Sequence, residues 1–473
     1  MNESTTNGQA AAAHTAKRIG RLRPSPIREI LSVIDRPGMI SFAGGLPAPD
    51  SFPRLNPGQI PAERLQYGPS EGEPELRRQV ARDLGTMGLA VDPDQVLVLS
   101  GSQQGIDLIA KLFIETGTPV AVESPTYLAA RQVFRLFGAS LVPLELDGTG
   151  VLPRRGPSPI LCYAVPTFQN PTGRCLSNAQ RNTLARYCDD HDIVLFEDDP
   201  YRDLAYDPCE RTPVCSRLRR ARWIYQTSCS KTLCPGLRLG YLAASKDLME
   251  PLLWLKQAAD LHSSRISQWL VLQQCQQGAE RMDRLVAGYR ARRDAFAAEL
   301  ATRFGDLATW ELPSGGLFFW LELKRRIDTR ELLPQALGNH VAFMPGEPFY
   351  PDDRPARGRL RLNFSHASPS QARAGLSVLA DLVRAADMEL QRELQHPQAR
   401  ERCLATTESS KAADIRAICR RALWICASAQ VGRPGSSFPT WPSTPPRYPP
   451  GPPQTPRSCR CSPSSASEAG CGH

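Results

Sequence analysis

Residues 227–241 read TSCSKTLCPGLRLGY. Two hydroxyls, Ser228 and Ser230, stand just before Lys231, and a guanidinium, Arg238, follows seven residues after it. An apolar run, 223–225, precedes the stretch, and Leu239 to Ala244 close it. The spacing predicts a polar loop between two short buried strands. Hydroxyls and one Arg suit a phosphate: neutral donors orient it, and a forked, always-charged partner meets its oxygens. A Lys desolvated beside other cations loses proton affinity, and its free amine can then condense with an aldehyde. Read alone, the same residues also make a solvated turn with one Lys and one Arg.

Around this loop, strand and helix alternate. Segments 95–100, 119–123, 141–146, 160–164 and 193–196 read as strands. Segments 101–113 and 178–190, and the stretch after Tyr127 as far as Phe137, read as helices. Such alternation predicts an α/β fold, a mainly parallel sheet flanked by helices, with ligands gathered at the carboxyl ends of its strands. Residues 248–301 read as one nearly continuous helix. After it, 317–323 and 358–364 alternate like half-exposed strands of a smaller α+β domain. The expected organisation is an N-terminal arm and short helix over 1–40, a large domain over 41–290, a small domain over 291–395 and a tail over 396–473. The last 43 residues hold 11 of the chain's 43 prolines, a composition that cannot bury a core, so disorder is expected there. Cys459, Cys461, Cys471 and His473 have no ordered frame in such a tail, and no metal site is expected.

The formal charge of +9 belongs to the ends: residues 1–30 carry +3, residues 396–473 carry +6, and the intervening chain is neutral. Nucleic-acid binding by the body is therefore not expected. No apolar run approaches the ~20 residues of a membrane span, and residues 1–16 lack the apolar core of a signal peptide. A cytoplasmic location with free thiols is the expectation.

The side chains with chemistry converge on one ligand. Phosphate plus aldehyde describes pyridoxal phosphate, whose ring nitrogen needs a carboxylate to hold its proton. Asp198 stands at a predicted strand's carboxyl end, with Tyr201 three residues on. Tyr201 and Asn170 can each hydrogen-bond the phenolic oxygen; a helix cap or solvated turn at Asp198 and an Asn-Pro turn at Asn170 are the plainer readings. Ser102 opens a helix whose N-terminus suits a phosphate, Tyr127 can stack on a ring, and Arg361 can fork a carboxylate. Each residue taken singly also has an ordinary structural reading.

Together the motifs are specific: SFAGGLP (41–47), LQYGPSEG (65–72), SGSQQG (100–105), QNPTG (169–173), EDDPY (197–201), SxSKTxxPGLRxGY (228–241) and LRLNFS (360–365). From about Gly20 to Ala386 the chain resembles the fold-type-I, class I/II pyridoxal-phosphate aminotransferases, in the branch of 2-aminoadipate, kynurenine and aromatic aminotransferases. The resemblance implies a seven-stranded-type sheet in the large domain. It makes Lys231 the Schiff-base lysine and Asp198 the pyridine-nitrogen partner, with Tyr201 and Asn170 on the phenolic oxygen. Ser102, Gln103, Ser228, Ser230 and Arg238 become the phosphate cup, and Tyr127 the ring stacker. Arg361 matches the α-carboxylate arginine, Gly44 and Gly45 the loop over the substrate, and Arg28 a mobile arginine for a side-chain carboxylate. Tyr67 would reach the cofactor of a neighbouring subunit, which implies a homodimer. The implied reaction moves an amino group from an L-α-amino acid (2-aminoadipate, aromatic, or branched and aliphatic) to a 2-oxo acid such as 2-oxoglutarate. A β-lyase or decarboxylase on the same fold, or a non-catalytic ligand sensor, are the alternatives. Three features depart from the family pattern: a short stretch between Leu146 and Ile160, the tail, and Cys229 and Cys234 beside the lysine, which suggest sensitivity to oxidation.

Overall fold

Short apolar runs become the buried strands of a central sheet. The computed structural model describes residues 15–22, 36–55, 58, 60–146, 151–153, 157–275, 279–351 and 357–395, all within the unit Met1–Gln395. A two-residue strand, β1 (Ile40–Ser41), comes first. The central sheet then takes β2 (Val96–Leu99), β3 (Pro119–Glu123), β4 (Ser140–Leu146), β5 (Val151–Pro153), β6 (Leu161–Ala164), β7 (Val194–Asp198), β8 (Trp223–Ser228) and β9 (Gly240–Ala244). Their spatial order is β2-β9-β8-β7-β6-β3-β4-β5. The run from β4 through β3, β6 and β7 to β8 is parallel, while β9 runs antiparallel to both its neighbours. A short antiparallel edge strand, β5, pairs with β4.

Helices cover both faces, which is why the central strands are apolar throughout rather than alternating. On one face, α1 (Pro74–Thr86), α4 (Asn178–His191) and α6 (Arg265–Cys275) pack on Val96, Val98, Leu195 and Tyr225. On the other, α2 (Ser102–Phe113), α3 (Leu128–Phe137) and α5 (Lys246–Asp260) pack on Leu97, Leu99, Val120 and Phe196. Helix α4 starts at a capping box: Gln180 N donates to Ser177 Oγ at 3.3 Å, and Ser177 N to Gln180 Oε1 at 2.9 Å.

A second, antiparallel sheet has the order β10-β11-β14-β13, with β10 (Ala308–Thr309), β11 (Phe318–Leu323), β13 (Met344–Pro345) and β14 (Arg359–Asn363). β12 (Val341–Ala342) pairs in parallel with β1 as a separate two-stranded sheet, and Asn363 N of β14 donates to Phe42 O at 2.8 Å, so the chain just before Gly44 and Gly45 is tied to the smaller sheet. Helices α7 (Ala279–Phe304), α8 (Thr329–Gly338) and α9 (Pro369–Gln395) close its core around Phe42, Phe296, Phe319 and Leu376. The rings of Phe296 and Phe319 stack at 5.5 Å.

Two sequence expectations change here. Residues 248–301 form α5, α6 and most of α7 rather than one helix. The first break falls at Leu261 (φ 64°), because the next turn is held elsewhere. Ser263 Oγ accepts from Lys256 Nζ at 2.8 Å and donates to Val98 O at 3.2 Å, which pins the turn to the end of β2. The strands read as half-exposed are mostly buried, and Arg361 on β14 is 3 % exposed. Residues 1–14 and 23–35 of the expected N-terminal arm and helix, and the 396–473 tail, lie outside the described residues. Among the described residues no helix is long and apolar enough to cross a membrane.

Removing the Phe319 ring leaves a cavity between two packed aromatic neighbours. Phe319→Ala is expected to cost about 3–5 kcal/mol of stability, measured by denaturant unfolding. A loss below about 1 kcal/mol would contradict this packing.

Candidate active site

The carboxyl ends of β6, β7 and β8 open into a cavity of about 300 Å³. Ser102, Gln103, Tyr127, Asn170, Asp198, Tyr201, Ser228, Ser230, Lys231 and Arg238 all line it, together with Tyr163, Val165 and Pro200. Residues singled out by sequence are thus brought together from well-separated stretches of chain.

One end is built for an anion. Helix α2 begins here, presenting its first-turn N–H groups beside Ser102 and Gln103. Its cap, Gly101, has φ +85°, and a Cβ there would stand 2.6 Å from an Arg238 guanidinium nitrogen. Arg238 itself takes a left-handed conformation (φ 48°), and no hydrogen bond to a described residue engages its guanidinium. Ser228 and Ser230 are joined by a 3.2 Å bond from Ser230 N to Ser228 Oγ. Behind the turn, Lys256 Nζ donates to Gln104 Oε1 at 2.7 Å, and Gln104 Oε1 also accepts from Ser100 N at 2.9 Å.

The same cavity holds a buried acid. Asp198 accepts from Tyr163 Oη at 2.8 Å on one oxygen and from Gln226 Nε2 at 3.1 Å on the other. Burial raises its carboxyl to about 6, against the pull of these two donors. A cationic ring nitrogen brought beside it would favour the ionised form. Gln226 is fixed by close packing: a Cβ on Gly105 of α2 would fall 1.7 Å from Gln226 Oε1.

Lys231 Nζ donates to Gly45 O at 2.7 Å, so the glycine loop lies against the amine. Burial, with the Arg361 and Arg238 charges adding to it, lowers Lys231 to about 8. The neutral amine is therefore within reach near neutral pH. Asn170 Nδ2 approaches Tyr201 Oη at 3.4 Å, while Asn170 Oδ1 accepts from Arg361 Nη1 at 2.7 Å. Burial pushes the Tyr127 phenol up to about 12 and Tyr201 higher still, so both act as neutral hydroxyls. Arg361 also donates to Ala43 O and lies over the Phe318 ring, 4.3 Å from its centroid. Burial lowers it to about 10, which leaves it charged at neutral pH. Its buried Nε has no hydrogen-bond partner among the described residues, a donor left for a ligand carboxylate.

The fit to pyridoxal phosphate rests on this donor set: hydroxyls, helix N–H groups and a guanidinium, with a buried carboxylate in the same cavity. An amine of lowered proton affinity also lines the cavity. Tyr67 lies elsewhere. It is 76 % exposed and lines a separate surface concavity with Leu65, His262 and Arg265. Arg28 lies outside the described residues. The thiols beside the lysine are not activated: burial pushes Cys229 up to about 12 and also raises Cys234. The sensitivity suggested for them finds no support in their surroundings.

Sequence reasoning missed Tyr163, Gln226, Phe318 and the Lys256 support. Gln226 left a trace, as a polar residue inside an apolar strand run, which in a buried strand needs a partner. Tyr163 left none, since an aromatic in such a run reads as packing.

The comparisons with known proteins agree with this geometry. The family described as Aminotransferase class I and II matches residues 58–379. A 2-aminoadipate transaminase of Thermus thermophilus is 36 % identical over 369 residues, covering 74 % of this chain and 91 % of the relative. An aromatic-amino-acid aminotransferase of Thermococcus litoralis is 33 % identical, covering 77 % and 92 %. Among solved structures, the alpha-aminoadipate aminotransferase of Thermus thermophilus, complexed with N-(5'-phosphopyridoxyl)-L-leucine, superposes with a TM-score of 0.72. It is 33 % identical and covers 80 % of this chain and 98 % of that one. The chain belongs to the class I and II aminotransferases. It is a pyridoxal-phosphate-dependent transaminase.

The two shifted groups each carry a test. Tyr163→Phe removes one of the two donors on Asp198, an interaction worth about 1.5–3 kcal/mol for a charged acceptor. Turnover should fall about 10-fold or more with little change in KM for the amino acid, and wild-type kcat would exclude the role. In cofactor-free protein, the rate of pyridoxal phosphate uptake should rise with pH about a midpoint near 8, as Lys231 loses its proton. A midpoint near the ordinary 10.5 would show that the amine is not desolvated.

Proposed function

We propose that the chain carries the amino group of an L-α-amino acid to a 2-oxo acid such as 2-oxoglutarate. The amino acid would be 2-aminoadipate, aromatic, or branched and aliphatic. The enzyme works as a cytoplasmic homodimer. The observation that carries this reading is that a deprotonable Lys231 and a buried Asp198 line one cavity, with a charged Arg361 bonded to Asn170 of the same lining.

Arg361 receives the α-carboxylate, with Asn170 Oδ1 and Ala43 O steadying the guanidinium. Held there, the substrate presents its Cα–H toward Lys231. The neutral Lys231 amine takes that proton from Cα and would return it on the far side of the substrate nitrogen. Bound pyridoxal phosphate supplies the electron sink that makes the Cα–H acidic. Asp198 would hold the proton on the ring nitrogen, its own charge kept in place by Tyr163 and Gln226. Tyr201 and Asn170 donate to the phenolic oxygen. Ser102, Gln103, Ser228, Ser230 and Arg238 would hold the phosphate, and Tyr127 would cover the ring. Gly44 and Gly45 close over the substrate, and the Gly45 carbonyl releases Lys231 when the amine is needed. The first substrate leaves as its oxo acid, and a second oxo acid carries the amino group away by the reverse steps.

Tyr67 belongs to this reading through the homodimer. Its exposed ring, packed edge-on to His262 at 5.8 Å, is available to a second subunit's site. The separation of domains at 41–290 and 291–395 is likewise part of the proposal. The larger sheet ends at Ala244 and the smaller begins at Ala308.

Visible absorbance tests the reaction. Cofactor-loaded protein should be yellow, bleach on addition of 2-aminoadipate or an aromatic amino acid, and recover with 2-oxoglutarate. Lys231→Ala should abolish the exchange by several orders of magnitude. Steady release of ammonia or carbon dioxide in place of the cycle would replace transamination with elimination or decarboxylation.

A further inference from the structure

Beside the start of α2, a lysine is buried completely yet stands outside the cavity lining. Lys256 of α5 is 0 % exposed, and its ammonium donates to Gln104 Oε1 at 2.7 Å, to Asp260 at 2.8 Å and to Ser263 Oγ at 2.8 Å. Three acceptors thus meet its three donors. Asp260 Oδ2 also accepts from Ser100 Oγ at 2.6 Å, and Ser263 Oγ donates to Val98 O at 3.2 Å. A buried ion pair gives little net stability over an apolar filling of the same volume. What this one fixes is position, because it joins the end of α5 to the chain that runs from β2 into α2.

That chain forms the first turn of α2. Gln104 N donates to Gly101 O at 3.0 Å, and Gln104 Oε1 reaches back to accept from Ser100 N at 2.9 Å. The Gln104 side chain closes the turn from within, as one half of a capping box does, and Lys256 holds the same oxygen from outside. Between these anchors, Ser102 N and Gln103 N find no acceptor among the described residues, which leaves two donors for an anion. The turn has little room to move. A Cβ on Gly101 would stand 2.6 Å from Arg238 Nη2, and one on Gly105 would stand 1.7 Å from Gln226 Oε1. The turn is therefore packed directly on Arg238 and on Gln226, a donor to Asp198.

We infer that Lys256 is a positioning residue for the phosphate of pyridoxal phosphate, acting through Gln104 on the first turn of α2. The inference rests on the reading that Ser102, Gln103 and Arg238 hold that phosphate. The ammonium orients Gln104 Oε1, Gln104 fixes Ser100 and the turn, and the turn aims the two free N–H groups. Asp260 balances the Lys256 charge, so geometry rather than long-range attraction carries the effect. Lys231 lies outside this chain of contacts. Loss of Lys256 therefore loosens the hold on the phosphate and leaves the reaction of the aldehyde with Lys231 in place.

Full-length protein freed of cofactor and reloaded with pyridoxal phosphate, or with phosphate-free pyridoxal, tests this, with binding followed by visible absorbance. Lys256→Met should weaken pyridoxal phosphate about 10-fold and leave the affinity for pyridoxal unchanged. Gln104→Leu should cause the same selective loss, and combining the two should add little, since both act through one contact. If Lys256→Met fails to fold, Lys256→Met combined with Asp260→Asn leaves no lone buried carboxylate and should show the same selectivity. Equal weakening of both ligands would mean a general structural role and would overturn the proposal, as would no weakening of either. Arg238→Gln separates this from the underlying reading. If Arg238→Gln weakens pyridoxal phosphate alone and Lys256→Met does not, the phosphate site stands and Lys256 has no part in it. If Arg238→Gln shows no such selectivity either, the phosphate is held elsewhere and both readings fall.

Discussion

The hydrogen-bonded burial of Asp198 is the constraint on which the rest of the site depends. A carboxylate withdrawn from water at the end of a central strand is costly unless donors meet both oxygens. Tyr163 from β6 and Gln226 from β8 do so from the two strands that flank β7. The same withdrawal from water acts on Lys231 in the opposite sense, lowering the amine while it raises the acid. One dry cavity thus supplies an acid poised to hold a proton on a ring nitrogen and an amine poised to accept one. No separate device is needed for each.

Parallel topology explains how such distant residues meet. Because β6, β7 and β8 run the same way, their carboxyl ends deliver Asn170, Asp198 and the Ser228–Lys231 turn to one edge. Strand β9 returns antiparallel, and its first residue, Gly240, packs against the start of α2, where Ser102 and Gln103 stand. The smaller sheet contributes Arg361 and Phe318 from adjacent strands, and the β1–β12 pairing draws Ala43 to Gly45 over the same opening.

Much of this was legible in the sequence. Buried strands announce themselves as short β-branched and aliphatic runs, and polar residues just beyond their ends, such as Asp198 and Lys231, stand out by contrast. What stayed hidden has physical reasons. The turn at Leu261 to Ser264 is set by Ser263 bonding to Lys256 and Val98, a tertiary choice that overrides helical periodicity. Arg361 looked half-exposed because its strand alternates; the Phe318 ring and the Ala43 carbonyl of the substrate loop help to bury it. Tyr163 cannot be told from core packing until its hydroxyl is seen on Asp198.

The central claim is that Lys231 is the residue that holds the cofactor. Borohydride reduction of the cofactor-loaded protein, followed by peptide mapping, tests it directly. The account predicts a pyridoxyl group on the peptide containing Lys231 and on no other lysine. A pyridoxyl group on Lys256 or on a surface lysine, with Lys231 unmodified, would contradict it.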